Sequence, residues 1–136
     1  MNKEELQKRI LRNTVRIQLD RKTIGSGILY VPEDGNRAYV LTAAHVFKKN
    51  KYPVQIQCYP DGADDGTYTY DVDKQAVHIH DDYEGKKDNT TVQYCDAAVV
   101  EIPKNSWMAD RACVYYGIPQ DHLPEGIRCQ VQIKIL

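Results

Sequence analysis

Residues 14–31, TVRIQLDRKTIGSGILYV, contain the pattern that decides the fold. Apolar and polar residues alternate through residues 15–19, which is the period of a strand that buries one face. The polar pair at residues 21–22 predicts a tight turn, and residues 23–31 then return as the second strand of a hairpin. This part of the chain is therefore predicted to be antiparallel β structure.

Short apolar runs between Gly-, Pro- or Asp-rich breaks predict further strands along the chain. They span residues 37–42, 54–59, 68–78, 97–102, 113–117 and 127–135. A helix is predicted at the N-terminus, where residues 3–12 place Leu6 and Ile10 at helical spacing, with acids first and bases last. Many short strands with so little helix predict an all-β, antiparallel sandwich or barrel.

The composition argues against several classes of protein. The 136 residues suit one domain, and 42% hydrophobic with 27% charged residues is the balance of a folded globule. A net charge of −1 gives no basic field for nucleic acid. No apolar run is long enough to span a membrane, and the charged N-terminus does not resemble a signal peptide. We therefore expect a cytoplasmic protein with no nucleic-acid or membrane partner, whose four cysteines are free thiols.

Two segments place chemically useful side chains beside small residues. In YVLTAAHV, residues 39–46, an apolar strand is followed by two alanines and then by His45. A histidine held at the end of a strand in this way is well placed to act as a general base. In YCDAAVVEI, residues 94–102, Asp96 stands directly before an apolar strand. A buried carboxylate needs a hydrogen-bond donor, and the Nδ1–H of a histidine is one.

Four landmarks, in this order, resemble a known family. Residues 42–45 (TAAH) are similar to the histidine motif of the trypsin- and chymotrypsin-like serine peptidases, and residues 96–100 (DAAVV) are similar to their aspartate motif. The glycine-rich strand GSGIL at residues 25–29 resembles the family's strand before the histidine. The segment HIHDDY at residues 78–83 resembles the family's sequence before the aspartate.

The resemblance covers about residues 14–102 and implies the first of the family's two barrels, a six-stranded antiparallel Greek-key barrel. It also implies that His45 is the general base and Asp96 the carboxylate that orients it. VYYGIP, at 114–119, resembles the opening strand of the second barrel. We accordingly expect three parts, namely an N-terminal helix (1–13), the first barrel (14–112) and the start of a second barrel or closing strands (113–136).

The sequence departs from the family's pattern in two places. Val46 follows His45 where the family usually has a cysteine, so the disulfide common in secreted members has no partner here. The family's order is His, Asp, Ser, yet Ser106 is the only serine after Asp96 and has no neighbouring glycine to form an exposed turn or an oxyanion hole. Ser26 precedes the histidine, and two cysteines also lack a glycine-framed turn, Cys113 and Cys129. No nucleophile is predicted within the chain.

Two functional hypotheses follow. In the first, the chain is the N-terminal barrel of a serine peptidase that hydrolyses polypeptides and is inactive without the half that carries the serine. In the second, it is a pseudopeptidase or half-barrel that binds another protein. Its last strand, residues 131–136, would then pair with a second copy or with a partner chain. A serine supplied across a dimer interface stays open as a third reading.

No cofactor or metal is predicted. His78 and His80 lie two residues apart, which on a strand places both on one face beside Asp81 and Asp82. A zinc site needs further ligands from a separate part of the chain. The sequence offers no such third ligand at a recognisable spacing.

Overall fold

The computed structural model describes residues 2–63, 65–83 and 95–111, with side chains through residue 108. Helix α1 spans Lys3–Arg12, where the sequence predicts it. The side chain of Asn2 caps its start by accepting a hydrogen bond from the Glu5 N–H at 2.8 Å. No residue of α1 is buried, so the helix lies on the surface of the sheet that follows.

The described residues form one seven-stranded antiparallel sheet with the order β5-β4-β1-β2-β3-β7-β6. The strands are β1 (Thr14–Leu19), β2 (Lys22–Tyr30), β3 (Arg37–Thr42), β4 (Val54–Cys58), β5 (Tyr68–Val72), β6 (Val77–Ile79) and β7 (Ala98–Pro103). Short 3₁₀ turns follow β3, β5 and β7, at Ala44–Phe47, Lys74–Ala76 and Ser106–Arg111. The predicted antiparallel, β-dominated class with one short helix is confirmed.

The single strand predicted over residues 68–78 is wrong. Its residues form β5 and β6, which a 3₁₀ turn at Lys74–Ala76 separates. β5 pairs with β4, whereas β6 pairs with β7 at the other end of the sheet order. The described residues therefore contain seven strands, whereas the sequence analysis expects a six-stranded barrel. The strands predicted at 113–117 and 127–135, and the pairing segment 131–136, lie outside the described residues.

The sheet curls around its buried face. The segment after β7 reaches back to the far strand β5, where Asn105 Nδ2 donates a hydrogen bond of 2.8 Å to the hydroxyl of Tyr70. The ring of Trp107 lies 6.2 Å from that of Tyr68, and Met108 beside it is fully buried. Burial raises the pKa of Tyr70 to about 12. Tyr70 therefore stays neutral while it links the two regions.

The core consists mainly of alternate residues from the strands. Its fully buried members include Val15, Ile17, Val40, Ile56, Val100 and Ile102. Gly27 lets β2 and β3 approach closely, because a Cβ at that position would lie 2.6 Å from Val40 Cγ1 and 2.9 Å from the Leu41 carbonyl oxygen. Among the described residues, no helix is both long and apolar enough to cross a membrane.

Candidate active site

The pairing of β3 with β7 brings two loops together at one end of the sheet. The register runs from Arg37↔Pro103 to Thr42↔Ala98, so β3 ends where β7 begins. His45 follows shortly after the end of β3, and Asp96 lies just before the start of β7. Two residues that are 51 positions apart in the sequence thus become neighbours.

A 3₁₀ turn carries His45. The strand ends at Thr42, so the imidazole is not at the strand's end as the sequence analysis expected but on the turn Ala44–Phe47. Ala44 and Phe47 are buried and anchor the turn in the core. Since His45 lies between them on the outer side, its side chain stays 50% exposed.

Gly25 provides room for this turn. A Cβ at residue 25 would lie 2.7 Å from Val46 Cγ2 and 3.0 Å from Val46 Cγ1. Such contacts are closer than van der Waals packing allows, so any larger residue would push Val46 away. The hydroxyl of Thr42 also donates a hydrogen bond of 2.7 Å to the Ser26 carbonyl oxygen. The GSG sequence of β2 is therefore part of the support beneath His45.

Both carboxylate oxygens of Asp96 face His45. Oδ2 lies 2.6 Å from Nδ1 of the imidazole, and Oδ1 accepts a hydrogen bond of 2.8 Å from the His45 main-chain N–H. An ionised carboxylate is an acceptor only, so Nδ1 carries the proton in this pair. The other ring nitrogen, Nε2, is then the basic one. It has no hydrogen-bond partner among the described residues.

The environment of Asp96 favours its charged form. Partial burial would by itself raise the pKa of the carboxyl. It is outweighed by the hydrogen bonds from the ring and the main chain of His45, by the charge of the imidazolium and by the Ala44 N–H. The net result is a pKa below the ordinary value of 3.8. Asp96 is 21% exposed and remains ionised at neutral pH.

The lowered pKa of Asp96 predicts a pH-dependent contribution to stability. The contribution is fully present above the unfolded-state pKa, near 3.8, and is lost as the pH falls through the lower folded-state value. We expect the difference in unfolding free energy between wild type and Asp96→Asn to be largest near pH 5 and to shrink at lower pH. Urea titrations from about pH 5 to pH 2 measure it. A difference that grows on acidification would contradict the assignment.

The candidate nucleophiles of the sequence show no hydrogen bond to His45 in the described part of the chain. Ser26 is exposed on β2, and Ser106 is exposed at the start of the last 3₁₀ turn. Neither side chain has a hydrogen bond to His45 in the described part of the chain. Cys58 is buried within β4, and Cys113 and Cys129 lie outside the described residues. The structure brings together His45 and Asp96, and within residues 2–63, 65–83 and 95–111 it adds no nucleophile to them.

Two features near His45 were not found from the sequence. A cavity of about 270 Å³ opens beside it, lined partly by apolar side chains and partly by Lys48, Lys49 and Lys51. Cys95, directly before Asp96, lies close to His80 and Asp82. The residues that line the cavity come from β1, β2 and the segment that runs from the turn after β3 to the start of β4. The residues around Cys95 come from the segments after β6 and before β7. Both are long-range arrangements without a local sequence pattern.

The two residues predicted to share a strand face have different surroundings. His78 lies within β6, with Nε2 3.4 Å from a carboxylate oxygen of Glu101. His80 lies just beyond the strand, where its Nδ1 accepts a hydrogen bond of 3.0 Å from the Asp82 N–H. β6 ends at Ile79, so His78 lies within the strand and His80 directly follows it.

Comparison with known proteins gives a limited result. No protein-family description matches the chain, and no curated protein is significantly similar to it. Among solved structures, the chain is similar to a structure described as kallikrein-related peptidase 10 in complex with Zn²⁺, with 16% sequence identity and a TM-score of 0.47. The match covers 70% of this chain but only 38% of that one. A likeness at this level assigns no activity to the chain.

Proposed function

We propose that this chain is the histidine- and aspartate-bearing barrel of a trypsin-like serine peptidase. The observation that carries the proposal is the two-point contact of Asp96 with the ring and the main chain of His45, at 2.6 and 2.8 Å. This contact sets the position, the orientation and the tautomer of the imidazole together. An ordinary surface ion pair would need only one of these two contacts.

The chemistry of the pair is that of a general base. In acyl transfer, Nε2 of His45 takes the proton of a serine hydroxyl while the serine oxygen attacks the scissile carbonyl carbon. Asp96 stabilises the imidazolium that forms, because it is ionised and already hydrogen-bonded to Nδ1. The imidazolium then gives its proton to the leaving amine. Hydrolysis of the acyl-enzyme repeats the two transfers with water in place of serine.

On this proposal, another domain or another chain supplies the serine and the oxyanion hole. Ser26 and Ser106 are the only serines of the chain, and neither has a hydrogen bond to His45 in the described part. Nε2 faces away from Asp96 on a half-exposed ring, which leaves it accessible to another domain. The cavity beside His45 would take a side chain of the polypeptide substrate.

A fluorophosphonate probe tests the proposal, because it reacts covalently with a serine that a neighbouring base activates. The protein to use is the complete product of the gene, including whatever the reading frame encodes past Leu136. We expect one labelled serine in the wild type and no labelling in His45→Ala. Residues 1–136 expressed alone are expected to show neither labelling nor peptide hydrolysis.

The matched control is His78→Ala, since His78 has no part in the dyad and lies in the neighbouring strand β6. Labelling should survive in that variant. Peptide turnover by residues 1–136 that disappears in His45→Ala would refute the need for a second half. If the complete gene product of correct fold is never labelled, peptidase activity is refuted, and the pseudopeptidase or binding-module hypothesis takes its place.

A further inference from the structure

Three potential metal ligands of different chemistry meet before β7. A ring nitrogen of His80, a carboxylate oxygen of Asp82 and the Sγ atom of Cys95 all lie within 4.8 Å of one another. His80 is partly buried, whereas Asp82 and Cys95 are exposed. None of the three is part of the His45–Asp96 pair.

The main chain fixes how the two segments meet. β6 and β7 pair antiparallel as far as Ile79↔Ala98, and the His80 N–H continues the ladder with a hydrogen bond of 2.9 Å to the Ala97 carbonyl oxygen. On the other segment, the Ala97 N–H donates a hydrogen bond of 2.8 Å to the Cys95 carbonyl oxygen. Cys95 itself has a φ of +53°, a conformation that few residues other than glycine adopt. The ligands are thus held by a hydrogen-bonded framework.

The donor atoms select a class of metal ion. Thiolate and imidazole suit zinc and its borderline neighbours, whereas calcium and magnesium require oxygen ligands throughout. In a tetrahedral zinc site the bonds are about 2.0 Å to nitrogen or oxygen and about 2.3 Å to sulfur, which places the donors about 3.4 Å apart. Side-chain rotations that bring the three atoms closer together, by up to about 1.4 Å, would satisfy that geometry.

We propose that His80, Asp82 and Cys95 bind a divalent cation of the zinc class, with a fourth position open to water or to another donor. Binding at Nδ1 of His80 replaces the hydrogen bond from the Asp82 N–H, which is a small loss beside a metal–thiolate bond. The ion links residue 82 to residue 95. It therefore fixes the segment that leads directly into Asp96, and it does so whether or not the chain belongs to a peptidase.

Cobalt(II) is the probe for this site, because a cobalt–thiolate bond gives a charge-transfer absorption and tetrahedral cobalt gives intense visible bands. We expect residues 1–136 to show both on titration with CoCl₂ under reducing conditions, and ZnCl₂ to remove them by competition. Cys95→Ser should lose the charge-transfer band. His80→Gln and Asp82→Asn should weaken cobalt binding by about tenfold or more. Even the mutation of a residue that only hydrogen-bonds to a metal ligand lowers metal affinity by about tenfold.

Matched controls are available beside two of the three ligands, Asp82 and His80. Asp81→Asn and His78→Gln alter the same residue types one and two positions away, and neither residue belongs to the cluster. Both variants should bind cobalt as the wild type does. A charge-transfer band that persists in Cys95→Ser, or a wild-type chain that binds no cobalt, would overturn the proposal. Circular dichroism of each variant checks that the fold is retained.

Discussion

On the proposed peptidase function, Asn in place of Asp96 is expected to reduce turnover by the complete gene product about 10⁴-fold while the fold is retained. The reason lies in the two contacts of the carboxylate. Oδ1 accepts the His45 main-chain N–H, so an amide keeps its oxygen there and places its NH₂ group against Nδ1. An NH₂ group donates. Nδ1 must then accept, the proton moves to Nε2, and the imidazole can no longer act as a base.

The measurement is the kcat of the complete gene product, wild type and Asp96→Asn, for hydrolysis of a peptide substrate at neutral pH. The deshielded Nδ1–H proton resonance of His45 should disappear in the same variant, which separates a tautomer change from unfolding. Asp73→Asn is the control, because Asp73 is exposed and its side chain caps nothing. A loss of less than tenfold in Asp96→Asn would show that Asp96 does not control the tautomer of His45.

Replacing Ile17 with alanine is expected to lower the free energy of unfolding by about 2–5 kcal/mol. Ile17 is fully buried in β1, an interior strand of the sheet, where it pairs with Gly25 on one side and with Ile56 on the other. The glycine has no side chain to move into the vacated space. The cavity therefore persists, which places the loss in the upper part of the range.

Urea denaturation of residues 1–136 measures this loss. Ile28→Ala is the matched control, because Ile28 is the same residue type on the adjacent strand β2 but is 60% exposed. We expect Ile28→Ala to change the free energy of unfolding by about 0.5 kcal/mol or less. Equal losses in the two variants would mean that the face of the sheet on which Ile17 lies is not the core.

The sequence predicts most of the strands because each has a local signature. Alternation identifies β1, and the apolar strand before His45 identifies β3. The division of residues 68–78 escapes this reasoning, since the residues on both sides of the 3₁₀ turn favour strands. What separates them is the choice of partner, β4 for one part and β7 for the other. A partner choice between distant strands is tertiary, and no local propensity records it.

The candidate dyad was predictable through its two motifs, but its geometry was not. His45 lies on a 3₁₀ turn and not at a strand end, because Ala44 and Phe47 both turn inward to the core. The sequence distinguishes Cys95 in no way from the other three cysteines. Its proximity to His80 arises from the β6–β7 ladder, and a three-residue strand such as β6 leaves little trace in the sequence.

The pairing of β3 with β7 also fixes when His45 meets Asp96 during folding. β1, β2 and β3 follow one another along the chain and pair through short connections, whereas β7 joins β3 only after a long loop closes. A chain that has formed the first three strands has His45 without its carboxylate. The His45–Asp96 pair is therefore assembled by the docking of β7, and a nascent or partly unfolded chain lacks the carboxylate contacts that orient the imidazole.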